Sequence, residues 1–206
     1  VRVAIEGVRP TVQPAGFAAK GVKGQVTPVS ADIFVDGHDQ LIAWATAWPL
    51  AGPDQRHEVP LVAGTNDRWA GELVPGQVGG WMFEVGGMVD AFGSWLRETA
   101  LKLGAGQDVG VELEEGAILV ELRAHAAGLL RADRAALGKL ATALRAATPA
   151  DRRVSSALAP ATIALMSSDT SRLSRRPSGT SPSTIRRARP SAIAVLPTPG
   201  SPMSTG

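Results

Sequence analysis

The apolar residues of this chain change period once, at about Val89 to Phe92, and that change limits what it can fold into. In Arg68–Leu73 the residues Trp69, Gly71 and Leu73 fall on one face of an extended chain. After the Pro75-Gly76 and Gly79-Gly80 breaks, Trp81, Phe83 and Val85 do the same. The two runs predict strands whose apolar faces meet across a hairpin. Beyond Val89-Asp90-Ala91 the spacing is helical, with Phe92, Trp95, Leu96 and Ala100 on one stripe. Period 2 followed by period 3.6 predicts a sheet domain and then a helical one.

Upstream, residues 2–10 read as a first strand on Val3, Ile5 and Val8, stopped by Pro10, and Thr11–Lys23 reads as Gly-rich and irregular. Val29, Ala31, Ile33 and Val35 alternate along a second strand, and Asp36-Gly37-His38-Asp39 is a turn with a favoured hairpin tip. Leu41–Trp48 and His57–Val62 follow as third and fourth strands, with Pro49–Gln55 as a loop between them. At least six short strands separated by turn signals predict an immunoglobulin-like β-sandwich over residues 1–90.

Residues 91–168 predict a small helical bundle, giving an α+β chain. Asp108 is placed to cap a helix with an apolar stripe of Val111, Ala117, Ile118 and Leu122. Leu137, Leu140, Ala141 and Leu144 mark a third helix, and Thr148-Pro149-Ala150-Asp151 reads as the N-cap, first turn and early acid of a fourth. The tail, residues 169–206, is dense in Ser, Thr, Pro and Arg. Its apolar island at Ala192–Leu196 is too short for a core, so a disordered tail is expected.

Charge separates the same regions. The formal net charge is +2, yet every acid lies at or before Asp169 and six arginines (172, 175, 176, 186, 187 and 189) follow it. Residues 1–169 therefore hold 15 basic against 19 acidic residues, a charge of −4, and the basic character belongs to the tail. Those arginines lack interleaved aromatics, so no nucleic-acid partner is expected. No apolar run is long enough for a membrane span, no signal sequence opens the chain, and there is no Cys, which together predict a cytoplasmic protein.

Local chemistry is sparse. Glu112, Glu114 and Glu115 are the densest carboxylates, and a helix N-terminus accounts for them. Asp36, His38 and Asp39 could sketch a metal site but read more simply as a turn. His57 and His125 have no ligand partner at diagnostic spacing, and no HExxH, P-loop, GxSxG or zinc pattern occurs. No catalytic residue, cofactor or metal is therefore assigned. Of the tryptophans, Trp69, Trp81 and Trp95 fall on faces expected to be buried. Trp44 and Trp48 share the other parity of the third strand and are the candidates for stacking on a sugar.

Several pieces, in order, resemble the N-terminal region of the bacterial α-1,4-glucan:maltose-1-phosphate maltosyltransferases, the GlgE family. They are RVAIEGVRP at 2–10, VSADIFVDGHD at 29–39, NDRWAGEL at 66–73, the Trp81–Asp90 strand, VDAFGSW at 89–95 and AGQDVGVELEEGAILVE at 105–121. The likeness runs from about Arg2 to Met166. It implies a sandwich accompanied by a helical segment, and an intact enzyme that moves maltosyl units from maltose 1-phosphate to α-1,4-glucan with release of phosphate. That retaining chemistry needs two carboxyl groups about 5–5.5 Å apart on an α-amylase-like barrel. No residue here matches either, so this chain is expected to be an inactive, non-catalytic portion, in the intact enzyme supporting the barrel and a homodimer. A stand-alone carbohydrate-binding or dimerisation module is the alternative. Because the likeness ends while the chain runs on, residues 169–206 suggest truncation or, in preference, a shifted reading frame.

Overall fold

A computed structural model describes residues 3–12, 17–126, 128–167 and 186–199. The chain divides into two compact units, one of residues 1–37, 41–89 and 177–206 and the other of residues 38–40 and 90–176.

The first unit is a curled mixed sheet. Its strands are β1 (Val3–Arg9), β2 (Ala19–Val22), β3 (Thr27–Val35), β4 (Leu41–Pro49), β5 (His57–Ala63), β6 (Arg68–Leu73), β7 (Gly79–Val89), β8 (Arg186–Arg187) and β9 (Ser191–Leu196). They run in the order β1-β3-β6-β5-β4-β7-β9-β2, with β8 also on β7. All pairs are antiparallel except β2 with β9. The alternation read from the sequence points Val29, Ala31, Ile33, Trp81, Phe83 and Val85 into one core, where each is at most 2% exposed.

Neither expected hairpin forms. β6 lies between β3 and β5 while β7 lies between β4 and β9, so Leu73 and Trp81 meet in the core without their strands pairing. The Val74–Val78 connection, interrupted by Pro75, is longer than a tight two-residue turn, and it crosses to another part of the sheet. The Asp36-Gly37 turn, with Gly37 at φ +105°, likewise links β3 to β4, which are not neighbours.

Two segments expected to be irregular are strands. β2 has four residues, too few for a legible alternation, and pairs with β9. Within the tail expected to be disordered, β8 and β9 join the sheet. The island at 192–196 is too short to make a core, but it completes an existing one: Ile193 and Val195 are 0% and 2% exposed among residues from other strands. Residues 168–185 and 200–206 of that expectation lie outside the described residues.

The second unit holds α1 (Ala91–Gly104), α2 (Gly110–Ala124), α3 (Arg131–Leu144), α4 (Ala150–Ala157) and α5 (Pro160–Ser167). The switch of period coincides with a cap: the Asp90 carboxylate accepts from the Gly93 main-chain N–H at 2.8 Å. On α1 the buried face takes Thr99 instead of Ala100, and the Thr99 hydroxyl donates back to the Trp95 carbonyl. The α3 stripe at Leu137, Leu140, Ala141 and Leu144 is buried as its spacing predicts.

α2 is turned away from the expected stripe. Leu113, Gly116, Ala117, Val120 and Ala124 face the second core, while Val111, Ile118 and Leu122 face outward. Both rows have helical spacing. What separates them is Gly116, whose missing side chain leaves room for the Trp95 indole. Caps also shift by a residue. Asp108 bonds the Gly110 N–H while Val109 holds the N-cap position of α2, and Pro149 rather than Thr148 precedes α4. Among the described residues, no helix is long and apolar enough to cross a membrane.

Candidate functional site

Polar and aromatic groups of the first unit gather on one face of β4, β5 and β7. Strand geometry puts Ala43, Ala45 and Ala47 into the core and Trp44, Thr46 and Trp48 on the other side. Thr46 stands in register between Glu58 of β5 and Glu84 of β7, so the row Glu58-Thr46-Glu84 crosses three strands. Trp44 and Trp48 flank that row along the strand.

The row is covered by cations. Arg187 of β8 donates to the Glu84 carboxylate, and Arg56 lies 3.6 Å from the same group. The Arg56 guanidinium also sits 4.3 Å from the centroid of the Trp48 ring, a cation–π contact. The Glu84 side chain is 12% exposed, so two cations answer one mostly covered anion. Thr46 is 1% exposed, and its hydroxyl has no hydrogen-bond partner among the described residues.

The two sugar-stacking candidates part company here. Trp44 is 2% exposed, and a Cβ built on Gly86 would fall 2.6 Å from its indole, so the ring lies against the β7 backbone. Its faces are taken by the protein, which removes it as an open stacking ring. The alternation along β4 gave its side of the sheet but could not reveal that this side, too, is covered. Trp48 is half-buried with Arg56 over it. Trp81 is buried in the core, where its ring centroid lies 5.7 Å from that of His57.

The acidic cluster of α2 disperses to different partners. Glu112 pairs with Lys102 of α1 at 2.7 Å, and Lys102 also reaches Glu98 at 3.4 Å. Hydrogen bonding to Lys102 holds the Glu112 carboxyl below its ordinary range and raises Lys102 in turn. Arg145, just past α3, grips Glu114 through Nε and Nη2 at 2.7–3.0 Å and also bonds Glu121. Those bonds lower both carboxyls and raise the guanidinium. These are clamps between helices, with Glu114 and Glu121 held on the one Arg145 guanidinium.

His125 follows the end of α2, with Nδ1 2.7 Å from the Glu121 carbonyl. Among the described residues, no three His, Asp or Glu side chains are grouped to hold a metal, Asp36, His38 and Asp39 included. Of the tail arginines, 186, 187 and 189 are described and 172, 175 and 176 are not.

Comparison with known proteins gives a consistent set of matches. The family model described as "Alpha-1,4-glucan:maltose-1-phosphate maltosyltransferase, domain N/S" matches residues 1–187. The match runs past Met166, so the likeness extends beyond the limit read from the sequence. The maltosyltransferase of Myxococcus xanthus is 39% identical over 122 residues, covering 58% of this chain and 18% of that protein. That of Burkholderia pseudomallei is 36% identical over 152 residues, 73% of this chain and 13% of its own length. Maltosyltransferase 1 of Streptomyces coelicolor is 35% identical over 161 residues, 77% of this chain and 24% of its own length. In each of these three relatives the match spans less than a quarter of the protein.

Proposed function

Because the chain belongs to the domain N/S family of the α-1,4-glucan:maltose-1-phosphate maltosyltransferases, we propose that it is a non-catalytic N-terminal portion of such an enzyme. The whole enzyme would transfer maltosyl units from maltose 1-phosphate to α-1,4-glucan in the cytoplasm, without a cofactor, a nucleic acid or a membrane. This portion would support the catalytic part and contribute to a homodimer. Under the same reading the sheet unit, residues 1–90 with its returning strands, is an immunoglobulin-like sandwich. Supporting that, β5 changes neighbours along its length, pairing Leu61, Val59, Glu58 and His57 with β4 and then Val62–Ala63 with β6. Residues 91–168 are, under that reading, a helical bundle.

The observation that carries the supporting role is the outward row on α2. Val111, Ile118 and Leu122 are 72%, 46% and 66% exposed, on a helix whose opposite row is already packed. Outward apolar side chains of this kind suit a protein partner. Light scattering tests it: the chain is expected to run as a dimer, and Ile118→Glu with Leu122→Glu as a monomer with an unchanged thermal melt. A strictly monomeric parent would count against the dimer. Incubation with maltose 1-phosphate and glycogen is expected to release no phosphate, and release above a heat-killed control would overturn the non-catalytic assignment.

A carbohydrate-binding module is the second reading, and Trp48 is the residue that favours it, being half-buried at the rim of the polar row. Maltoheptaose would have to displace Arg56 to stack there. Quenching of tryptophan emission that disappears in Trp48→Ala would support it, and an unchanged spectrum would sink it.

A further inference from the structure

The chain contains a single Asp-Gly step, Asp36-Gly37, and the fold leaves it unguarded. It follows β3 in a bend where Asp36, Gly37 and His38 are all exposed. Asp36 also borders a cleft of about 450 Å³ that it shares with Glu6, Phe34 and Arg186, so water reaches its carboxyl group. Gly37 has φ +105°, and a Cβ built on it would meet nothing within 4 Å. Among the described residues, the Gly37 N–H donates no main-chain hydrogen bond and the Asp36 carboxylate has no hydrogen bond or ion pair.

Other candidates for the same chemistry are held or hindered. The Asp32 carboxylate is bound by Arg68 at 2.8 Å. Asp90 and Asp108 accept from the Gly93 and Gly110 N–H groups at 2.8 and 3.1 Å. Ile33, Ala91 and Val109, which follow these three acids, each carry a side chain beside the nitrogen that would have to react. Asn66, the single asparagine, lies with Asp67 in a turn closed by the Arg68 N–H on the Thr65 carbonyl at 3.2 Å, and Asp67 also has a side chain.

We propose that Asp36-Gly37 is a site of spontaneous isoaspartate formation in the folded protein, and so a methyl-accepting site for a protein-carboxyl methyltransferase. With both groups free and no Cβ in the way, the Gly37 nitrogen can approach Cγ of Asp36. The N–Cγ bond closes a five-membered imide, and the N–H proton leaves with the carboxyl hydroxyl as water. A second water then opens the ring. Attack at Cγ breaks the new bond and restores aspartate. Attack at the main-chain carbonyl breaks the original peptide bond, returns a proton to nitrogen and leaves the chain running through Cβ and Cγ beside a free α-carboxylate. One water leaves and one enters, so mass is conserved and no other reactant is needed. The sheet tolerates the product. Val35 is the last β3 residue paired with β1, opposite Val3, and Leu41 the first of β4 paired with β7, opposite Val89. The added main-chain carbon falls between those two pairs.

The full chain is incubated at neutral pH and physiological temperature, and samples are taken over weeks. Each receives S-adenosylmethionine and a protein isoaspartyl methyltransferase, and electron-transfer fragmentation locates the isoaspartate. Methyl acceptance is expected to grow with time and to map to Asp36. Asp36→Glu, which keeps the charge but requires a larger ring, is expected to lose it. Asp36→Asn, whose amide is a better leaving group, is expected to gain it faster than the parent. No growth in the parent overturns the proposal, as does a signal that maps to Asn66 or another aspartate, or one that survives Asp36→Glu. The same chain incubated in urea isolates the part played by the fold. Folded and unfolded chains are expected to react at similar rates, whereas a folded rate lower by about tenfold or more would mean that the fold keeps the reacting atoms apart, and would overturn it.

Discussion

Two glycines in neighbouring helices occupy opposite situations. A Cβ on Gly116 would stand inside the Trp95 indole, whereas one on Gly138 of α3 would meet nothing within 4 Å. Gly116→Ala is therefore expected to destabilise the helical unit by about 1–3 kcal/mol through overpacking, in spite of the gain in helix propensity. Gly138→Ala is expected to stabilise it by about 0.5–1 kcal/mol. Urea unfolding followed by helical circular dichroism reads both. Arg145 gives a pH test. Its bonds lower Glu114 and Glu121 from the ordinary 4.5, so the stability they contribute is complete above that value and lost as pH falls through the lowered ones. The melting temperatures of the parent and of Arg145→Gln should differ at pH 7 and draw together progressively as the pH falls below 4.5. A gap of constant size across that range would show that the pairing contributes nothing pH-dependent.

At the scale of elements, β9 shows what periodicity can and cannot deliver. Its alternation is plain, with Ile193 and Val195 on one side, but six residues reveal nothing about what lies beside them. Completion of a distant core supplies the answer, and Ile193→Ala is expected to cost the sheet about 2–5 kcal/mol, measured by urea titration of tryptophan emission. β1, β3, β4, β5, β6, β7, α1 and α3 were legible because each carries its own period or cap. The partners of β6 and β7 were not, since pairing depends on where the chain crosses over. On α2 two apolar rows compete, and the choice is made by the fit of Gly116 to Trp95, a residue on another helix. Trp44 illustrates the same limit at the candidate site. Parity placed it with Trp48, but Gly86, which it lies against, and Arg187, which pairs with that glycine, are remote in sequence.

For the molecule as a whole, two cores are built from disjoint residues, one centred on Ile33, Phe83 and Ile193 and the other on Leu113, Val120 and Leu144. Trp44, Trp48, Trp69 and Trp81 belong to the sheet unit and Trp95 alone to the helices. Trp95→Phe should therefore leave tryptophan emission reporting the sheet while circular dichroism near 222 nm reports mainly the helices. Non-coincident urea transitions by the two probes are expected, and superimposable curves would argue for a single cooperative block. The wide separation of β7 from β9 also sets a timetable for synthesis. A nascent chain can complete its helices, whose contacts are local, long before residue 196 leaves the ribosome. Until then the sheet waits with its last position vacant. An extended apolar segment from any neighbouring polypeptide could enter during that interval, so the rate of translation through residues 90–196 becomes a determinant of how much chain reaches its folded state.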